Sequence, residues 1–311
     1  MEKVLITTSS FDLGIPEIKA IRDAGYEIVL NPHGRKLTEL EVADLLTPDI
    51  VGLIAGVEPL TKKVILGAKN LRVISRCGIG MDTVDVEAAK ARNIEVFNTP
   101  DAPTKAVAEL TVGLMLDALR GITAQDRSVR AAGWERPMGG LLGACTVGLI
   151  GYGRIGRKVA EYVKGFGAKI VMHDVCAKDD PLFLPFDRLL AQADIVSLHI
   201  PFTAENSRLI DADVLGRMKK GAILINTSRG GLIDEAALAK ALESGHLAAA
   251  ALDVFEQEPY KGPLTGVKNV ILTAHTGSYA KEARIEQEAL AARNVLAGLG
   301  GKAKAGERTY G

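Results

Sequence analysis

Cysteine is scarce and badly placed for any cross-link. Of 311 residues only Cys77, Cys145 and Cys176 are cysteine, an odd number, far apart and without metal-ligand spacing. The pattern fits a reducing compartment and gives no reason to expect a disulfide framework or a metal site. Long apolar runs are missing too. No uninterrupted stretch is long enough for a membrane-spanning helix, and Met1-Glu2-Lys3 leads straight into a strand instead of a signal peptide. A cytoplasmic location away from membranes is the expectation. Nor is there an excess of charge of one sign. Thirty-eight basic residues stand against 38 acidic ones, with no basic block, which removes the electrostatic basis for nucleic-acid binding. What remains is the composition of a globular protein, 47% hydrophobic and 24% charged, long enough for two domains of ordinary size.

Short apolar segments alternate with helical patterns along the chain. In the first third the strand candidates are Val4–Thr7, Glu27–Leu30, Ile50–Ile54, Val73–Ser75 and Glu95–Phe97. Helical stretches fall between them near Pro16–Ala24, Thr38–Leu46, Thr61–Gly67 and Val86–Arg92. A long helix is expected over Thr104–Arg120, with an irregular helical stretch to Ala132. A second alternating series begins at Thr146, with strands at Thr146–Ile150, Lys169–His173, Ile195–His199, Ala222–Asn226, Ala249–Leu252 and Val270–Leu272. Asp211 and Asp234 have the position of helix N-caps. A last helix is expected over Ala280–Leu299, and residues 300–311 read as a frayed polar tail. Such alternation predicts an α/β protein with two doubly wound, parallel, Rossmann-like domains. The expected division has residues 1–99, completed by 281–311, forming one domain and residues 100–280 inserted as the other, with hinges near Thr99 and Ser278.

The inserted part carries the most specific signal. Val147-Gly148-Leu149-Ile150 runs into Gly151-Tyr152-Gly153-Arg154-Ile155-Gly156, and Asp174 follows 18 residues past the last glycine. Gly151 permits a tight turn, Gly153 a close approach to a pyrophosphate, and Gly156 close packing of helix on sheet. The helix N-terminus supplies N–H groups and partial positive charge. An acid about 20 residues on is the expected partner of the ribose hydroxyls. Glycines serving only turns and packing would not need strand, helix and acid to agree in this way. Asp174 would repel a 2′-phosphate and Val175-Cys176-Ala177 offers no arginine to receive one, so NAD is favoured over NADP, with Lys178 the one nearby complication.

Three residues at consecutive strand ends of the same domain could do chemistry. His275, after the last strand, is a natural proton donor near neutral pH. Glu258, after the preceding strand, could orient it and stabilise its charged form, with Glu256 a rival partner. Arg229, followed by Gly230-Gly231, could aim a guanidinium at a carboxylate. Converging strand ends are how such folds build sites. In the first domain the loop Arg76-Cys77-Gly78-Ile79-Gly80-Met81-Asp82 could turn backbone N–H groups toward an anion, or be a plain turn.

Taken together, these segments resemble the D-isomer-specific 2-hydroxyacid dehydrogenase family, and within it most the D-3-phosphoglycerate dehydrogenases. The likeness spans nearly the whole chain. It rests on residues 76–82, Asn-Thr-Pro at 98–100, Ala-Glu-Leu-Thr at 108–111, the glycine fingerprint, and Ser-Leu-His-Ile-Pro at 197–201. It continues through Asn-Thr-Ser-Arg-Gly-Gly at 226–231, Asp-Val-Phe-Glu-Gln-Glu-Pro at 253–259 and Ala-His-Thr-Gly at 274–277. The resemblance implies that Arg229 binds the substrate carboxylate and keto oxygen, that Glu258 and not Glu256 pairs with His275, and that His275 handles the hydroxyl proton. It implies a substrate loop of Arg76, Gly78, Ile79 and Gly80. It implies NAD contacts at Arg154, Ile155, Asp174, Ile200, Thr227 and Asp253, flanked by His199, Pro201, Ser228, His275 and Gly277.

The implied reaction is reversible hydride transfer between NAD and a small D-2-hydroxy acid, with water excluded by closure of the domains. 3-Phosphoglycerate is the first expectation for the substrate. Arg35 and Lys36 are candidate phosphate anchors, because the segment after the third strand, where an arginine is often found, holds Glu58 instead. Glyoxylate, hydroxypyruvate or sulfolactate-type acids are the alternatives. A rival of another class is an NAD-responsive, corepressor-like binding module. A formate-oxidising relative is disfavoured by Glu258, where that subfamily has glutamine. A homodimer through the nucleotide domain is expected, because the stretch Thr104–Ala132 carries Leu110, Leu114 and Leu119 and interrupts the regular alternation.

Overall fold

The computed structural model describes residues 1–176 and 180–300; Lys178 and the tail 301–311 lie outside the described residues. The chain divides into two compact units. One is Met1–Pro103 joined by the chain from Tyr279 onward, and the other is Thr104–Ser278. The first crossing falls a few residues beyond the expected Thr99. The Thr99 N–H donates to the Gly78 carbonyl at 3.0 Å, and the Asn98 side chain donates to the Ile79 carbonyl at 2.9 Å.

In the first unit five strands, β1 (Lys3–Ile6), β2 (Glu27–Leu30), β3 (Ile50–Ala55), β4 (Val73–Arg76) and β5 (Glu95–Phe97), form one sheet in the order β2-β1-β3-β4-β5. Every pairing is parallel. Helices α1 (Pro16–Asp23), α2 (Glu39–Leu45), α3 (Lys62–Gly67) and α4 (Val86–Ala91) connect the strands. Strand alternation sends Leu5, Leu53 and Ile74 into one core and Val4, Ile6, Ile54 and Val73 into another. Both faces are therefore covered, as a parallel sheet requires.

The second unit opens with α5 (Thr104–Arg120) and α6 (Ile122–Arg130). It continues as β6 (Thr146–Ile150), α7 (Arg154–Gly165), β7 (Lys169–His173), α8 (Phe186–Gln192), β8 (Ile195–Leu198), α9 (Ala212–Arg217), β9 (Ile223–Asn226), α10 (Glu235–Glu243), β10 (Ala249–Leu252) and β11 (Val270–Leu272). Its six strands are all parallel, in the order β11-β10-β9-β8-β6-β7. Val147, Leu149, Ile195, Ile223 and Ile225 fill one side, while Ile150, Val196, Leu198, Leu224 and Leu252 fill the other. The last helix, α11 (Lys281–Gly298), belongs to the first unit and packs on α1, β3 and β4.

Local chemistry starts the helices where the sequence places them. The Asp211 carboxylate accepts the Val214 N–H at 2.9 Å, and Asp234 accepts those of Ala236 and Ala237 at 3.0 Å. Helix α8 has no cap or glycine signal in the sequence; it is held by burial of Leu189 and Leu190. Among the described residues no helix is long and apolar enough to cross a membrane, and no cluster of His, Cys, Asp or Glu could hold a metal ion.

Candidate active site

In an open parallel sheet the ligand crevice lies at the carboxyl ends of the strands, where the strand order reverses. In the second unit that point is between β6 and β8. The glycine loop leaves β6 there, and His199-Ile200-Pro201 leaves β8. Gly151 has φ +97°, and a Cβ on it would overlap the His199 carbonyl. A Cβ on Gly156 would overlap the Gly151 carbonyl. Both glycines are thus demanded by the protein's own packing. Gly153 is different: a Cβ there would meet nothing within 4 Å. This N-cap residue of α7 has no packing reason to be glycine, and its open space lies at a twelve-residue helix's N-terminus. That is the cradle a pyrophosphate needs, so the residues fit a dinucleotide.

Asp174 stands just beyond β7. Its carboxylate accepts the Tyr152 N–H at 2.7 Å and the Cys176 N–H at 2.9 Å. The Tyr152 bond, and then the Cys176 bond, hold its pKa below the usual carboxylate value. It remains ionised at physiological pH with acceptor capacity left for ribose hydroxyls. The same carboxylate ties the glycine turn to the end of β7, a role the sequence does not reveal. Arg154 is exposed at the start of α7, while Ile155 is half-buried against the core beneath it. His199 is half-buried, 2.9 Å from Ser197 Oγ. Desolvation lowers its imidazole pKa to about 4, so it is neutral. Ile200 lines the glycine turn; Pro201 is exposed, its carbonyl accepting from Asn206 at 2.8 Å.

The ends of β9, β10 and β11 bring the three candidate reactive residues into one neighbourhood. Asn226 organises the turn after β9. Its Oδ1 accepts from the Ser228 backbone and hydroxyl at 3.0 and 2.8 Å, and its Nδ2 donates to the Arg229 carbonyl at 2.9 Å. The Arg229 guanidinium bonds the Ser228 carbonyl at 2.7 Å. A Cβ on Gly230 would overlap the Phe255 carbonyl, so glycine lets the Arg229 turn press against the loop that carries Glu258. Glu258 in turn accepts the Phe255 N–H at 3.2 Å and faces His275 Nδ1 at 2.9 and 3.1 Å. Glu256, the rival, faces Arg208 at the surface at 3.4 Å. With Nδ1 turned to Glu258, Nε2 is the imidazole nitrogen left for substrate chemistry.

Asp253 has a duty the sequence does not reveal. It is 1% exposed, and its carboxylate accepts from Thr273 Oγ1 (2.5 Å), the Thr276 N–H (2.9 Å) and the Gly277 N–H (2.8 Å). These bonds bracket His275, whose φ is +52°, an uncommon backbone for a non-glycine residue. Thr227, expected at the cofactor, is buried with its hydroxyl 2.8 Å from that of Thr111 on α5. Thr111 belongs to a stretch that periodicity marks only as helix. Thr227, Ser228 and Asp253 are thus all engaged within the protein, and cofactor contacts from them would be additional.

In the first unit, Gly78 has φ +152°, and of the two readings the sequence leaves open its N–H follows the plain turn. It donates to Thr99 Oγ1 at 2.8 Å. Arg76 is buried and folds back over Gly78 to bond the Cys77 carbonyl. Ile79 and Gly80 are partly exposed beyond it.

Comparison with known proteins agrees with the second unit's geometry. A family model described as D-isomer specific 2-hydroxyacid dehydrogenase, NAD binding domain, matches residues 112–277. The chain is 42% identical over 260 residues to a glyoxylate reductase of Thermofilum pendens, covering 79% of this chain and 77% of that protein. It is 37% identical over 312 residues to a D-3-phosphoglycerate dehydrogenase of Methanocaldococcus jannaschii, covering 97% of this chain but 58% of the relative. A crystal structure of a Thermus thermophilus protein matches with a TM-score of 0.91 at 36% identity, over 99% of both chains.

Proposed function

The chain belongs to the D-isomer-specific 2-hydroxyacid dehydrogenase family, NAD-dependent enzymes of small 2-hydroxy and 2-oxo acids, and from that premise we propose that it reduces a short 2-oxo acid of the glyoxylate or hydroxypyruvate kind. The observation that carries the proposed chemistry is the Glu258–His275 pair beside the Arg229 turn. The glycine loop and Asp174 would hold NADH, which would supply the hydride for the carbonyl carbon. Arg229 holds the substrate carboxylate and keto oxygen through its planar fork of N–H donors. His275 Nε2 gives its proton to the carbonyl oxygen, and Glu258 stabilises the imidazolium before that transfer. Asp253 keeps the histidine loop in place throughout. Ile79 and Gly80 are proposed as substrate residues through their backbone; Gly78, whose N–H is taken by Thr99, shapes that loop, and Arg76 supports it.

Phosphohydroxypyruvate, the keto partner of 3-phosphoglycerate, is the second reading, supported by the relative that matches 97% of this chain. Of its two expected anchors, Lys36 is exposed and Arg35 is otherwise engaged. Arg35 makes a two-pronged bond to Glu41 at 2.6 and 2.9 Å. A panel of glyoxylate, hydroxypyruvate, pyruvate, oxaloacetate, sulfopyruvate and phosphohydroxypyruvate, followed by NADH absorbance, tests the assignment. Highest kcat/KM for phosphohydroxypyruvate would reverse the order. No turnover with any of them would remove the reading.

NADH is expected to be preferred to NADPH, because a 2′-phosphate would face the ionised Asp174. Asp174→Ala should narrow that preference. It should also raise the KM for NADH about 30-fold, roughly 2 kcal/mol, the scale of a lost charge-assisted bond, since the Tyr152 and Cys176 N–H groups lose their acceptor. Equal kcat/KM for the two cofactors in the unmodified enzyme would contradict the assignment.

We also propose a homodimer through the second unit, on different residues from those the sequence suggests. Leu114 is buried in the unit's own core, and Leu110 and Leu119 pack against that core. The apolar residues left outside are Ile122, Val129, Trp134 (78% exposed), Met138 (98%) and Leu141 on α6 and the segment after it, and α6 buries none of its residues. Such a patch is unusual on a monomer. Light scattering at micromolar concentration should give twice the chain mass; a monomer mass would refute the proposal.

A further inference from the structure

The backbone donors of the loop after β4 are aimed from behind. Ile79 and Gly80 are partly exposed, and among the described residues neither backbone N–H has an acceptor. Their direction is set through the carbonyls on the other side of the same peptide bonds. In a planar trans peptide the C=O and the N–H point opposite ways. The Gly78 carbonyl accepts the Thr99 N–H at 3.0 Å, which turns the Ile79 N–H away from Thr99. The Ile79 carbonyl accepts Asn98 Nδ2 at 2.9 Å, which turns the Gly80 N–H away from Asn98. Two successive N–H groups are thereby pointed off the segment that holds them, as an anion receptor requires.

Asn98 is itself held by the last helix. Ala291, Ala292 and Val295 of α11 are buried in the first unit's core, and Asn294 is buried on the same helix. An amide in such a place is costly unless it is bonded. Its Nδ2 donates to the Asn98 carbonyl at 3.2 Å and to the Ser75 hydroxyl at 3.3 Å. Ser75, Ile79, Asn98 and Asn294 all belong to the first unit, so the relay of bonds from α11 to the loop is complete within it. An apolar side chain of the same size would fill the space, but it could not hold Asn98.

We propose that Asn294 is a positioning residue, which by holding Asn98 aims the Gly80 N–H at the anionic end of the 2-oxo acid. The inference rests on the proposed reading of Ile79 and Gly80 as substrate residues and adds what makes their backbone a fixed receptor. A carboxylate keeps its charge throughout hydride transfer. A donor aimed at it therefore serves bound substrate and transition state alike, and its loss is read in KM and not in kcat.

The test uses the full chain with hydroxypyruvate and saturating NADH. Asn294→Leu should raise the KM for hydroxypyruvate about tenfold, the scale of one misdirected hydrogen bond to a charged group, with kcat and the KM for NADH near their parent values. Asn98→Ala, which removes the next bond of the relay, should do the same, and the double variant should be no worse than either single one. Ser75→Ala leaves the Asn294–Asn98 bond in place and should not move KM. Unchanged KM in folded Asn294→Leu, or additive losses in the double variant, overturns the inference. Where Asn294→Leu does not fold, Asn294→Ser, shorter and still polar, takes its place under the same criteria.

A second readout separates the role of Asn294 from that of the loop. The sequence holds three Ile-Gly pairs, Ile79-Gly80, Ile150-Gly151 and Ile155-Gly156. Labelling isoleucine at its carbonyl carbon and glycine at its nitrogen therefore selects three glycine amide signals by NMR. Oxamate, an unreducible analogue of a 2-oxo acid, should shift the Gly80 signal of the NADH-bound parent. Asn294→Leu should shift the Gly80 signal of the free protein and leave those of Gly151 and Gly156 in place. A parent Gly80 signal that ignores oxamate removes the loop from the substrate site, and the inference with it. A Gly80 signal that answers oxamate but not Asn294→Leu overturns the role of Asn294 alone.

Discussion

Replacing Arg229 with alanine is expected to lower kcat/KM for 2-oxo-acid reduction by about 10²-fold, corresponding to roughly 3 kcal/mol, the scale for truncating one side of a buried charged pair. The guanidinium is presented by a turn that Asn226 bonds three times and that Gly230 lets press against the Phe255 carbonyl. The guanidinium adds one bond of its own to the turn, at the Ser228 carbonyl, so the loss in activity has to be separated from any loss of folding. Two readouts separate these. The NAD dissociation constant, measured by fluorescence titration, should stay close to that of the parent, and so should the thermal midpoint. Arg229→Lys restores the charge without the planar fork and should recover only part of the activity. Unchanged kcat/KM in the alanine variant would make Arg229 a turn residue.

The case of Arg229 also indicates which kinds of feature a sequence exposes. Strand ends were legible because parallel strands buried on both faces are short apolar runs, and the chain marks each with a break in hydrophobicity. Arg229, Glu258 and His275 were found because they sit just beyond such breaks. The glycine fingerprint was legible for a similar reason: Gly151 and Gly156 are dictated by close backbone approaches that tolerate no Cβ. What stayed hidden were the polar bonds between loops. Nothing in the local sequence says that Asp253 reaches three partners around His275, that the Gly78 N–H is claimed by Thr99, or that Glu58 is buried against Thr7. Each depends on segments 20 or more residues apart, a distance over which hydrophobic periodicity carries no information. The expected roles of Leu110, Leu114 and Leu119 misled for the converse reason. An apolar helix stripe looks the same whether its partner is the chain's own sheet or another molecule.

The second large effect should come from the histidine and its carboxylate. His275→Asn is the informative substitution, because asparagine tolerates the positive φ that His275 adopts. It leaves the backbone bonds from Thr276 and Gly277 to Asp253 in place. It removes the only group proposed to exchange the hydroxyl proton. Turnover should fall in both directions by on the order of 10³-fold, within the range for loss of a positioned general acid–base, with NAD binding retained. Glu258→Gln is subtler. It preserves shape, but it presents an amide to Nδ1 where a carboxylate stood at 2.9 Å. It thereby withdraws the charge that stabilises the imidazolium and the acceptor that fixes the tautomer. Reduction, which starts from the protonated ring, should lose on the order of 10²-fold and lose more than oxidation, which starts from the neutral ring. Glu256→Gln is the control: its carboxylate faces Arg208 at the surface, and kcat should not move. If Glu256→Gln lowers turnover while Glu258→Gln does not, the pairing drawn from the 2.9 Å contact is wrong. If neither does, His275 works without a carboxylate partner and the proton-transfer scheme fails at its first step.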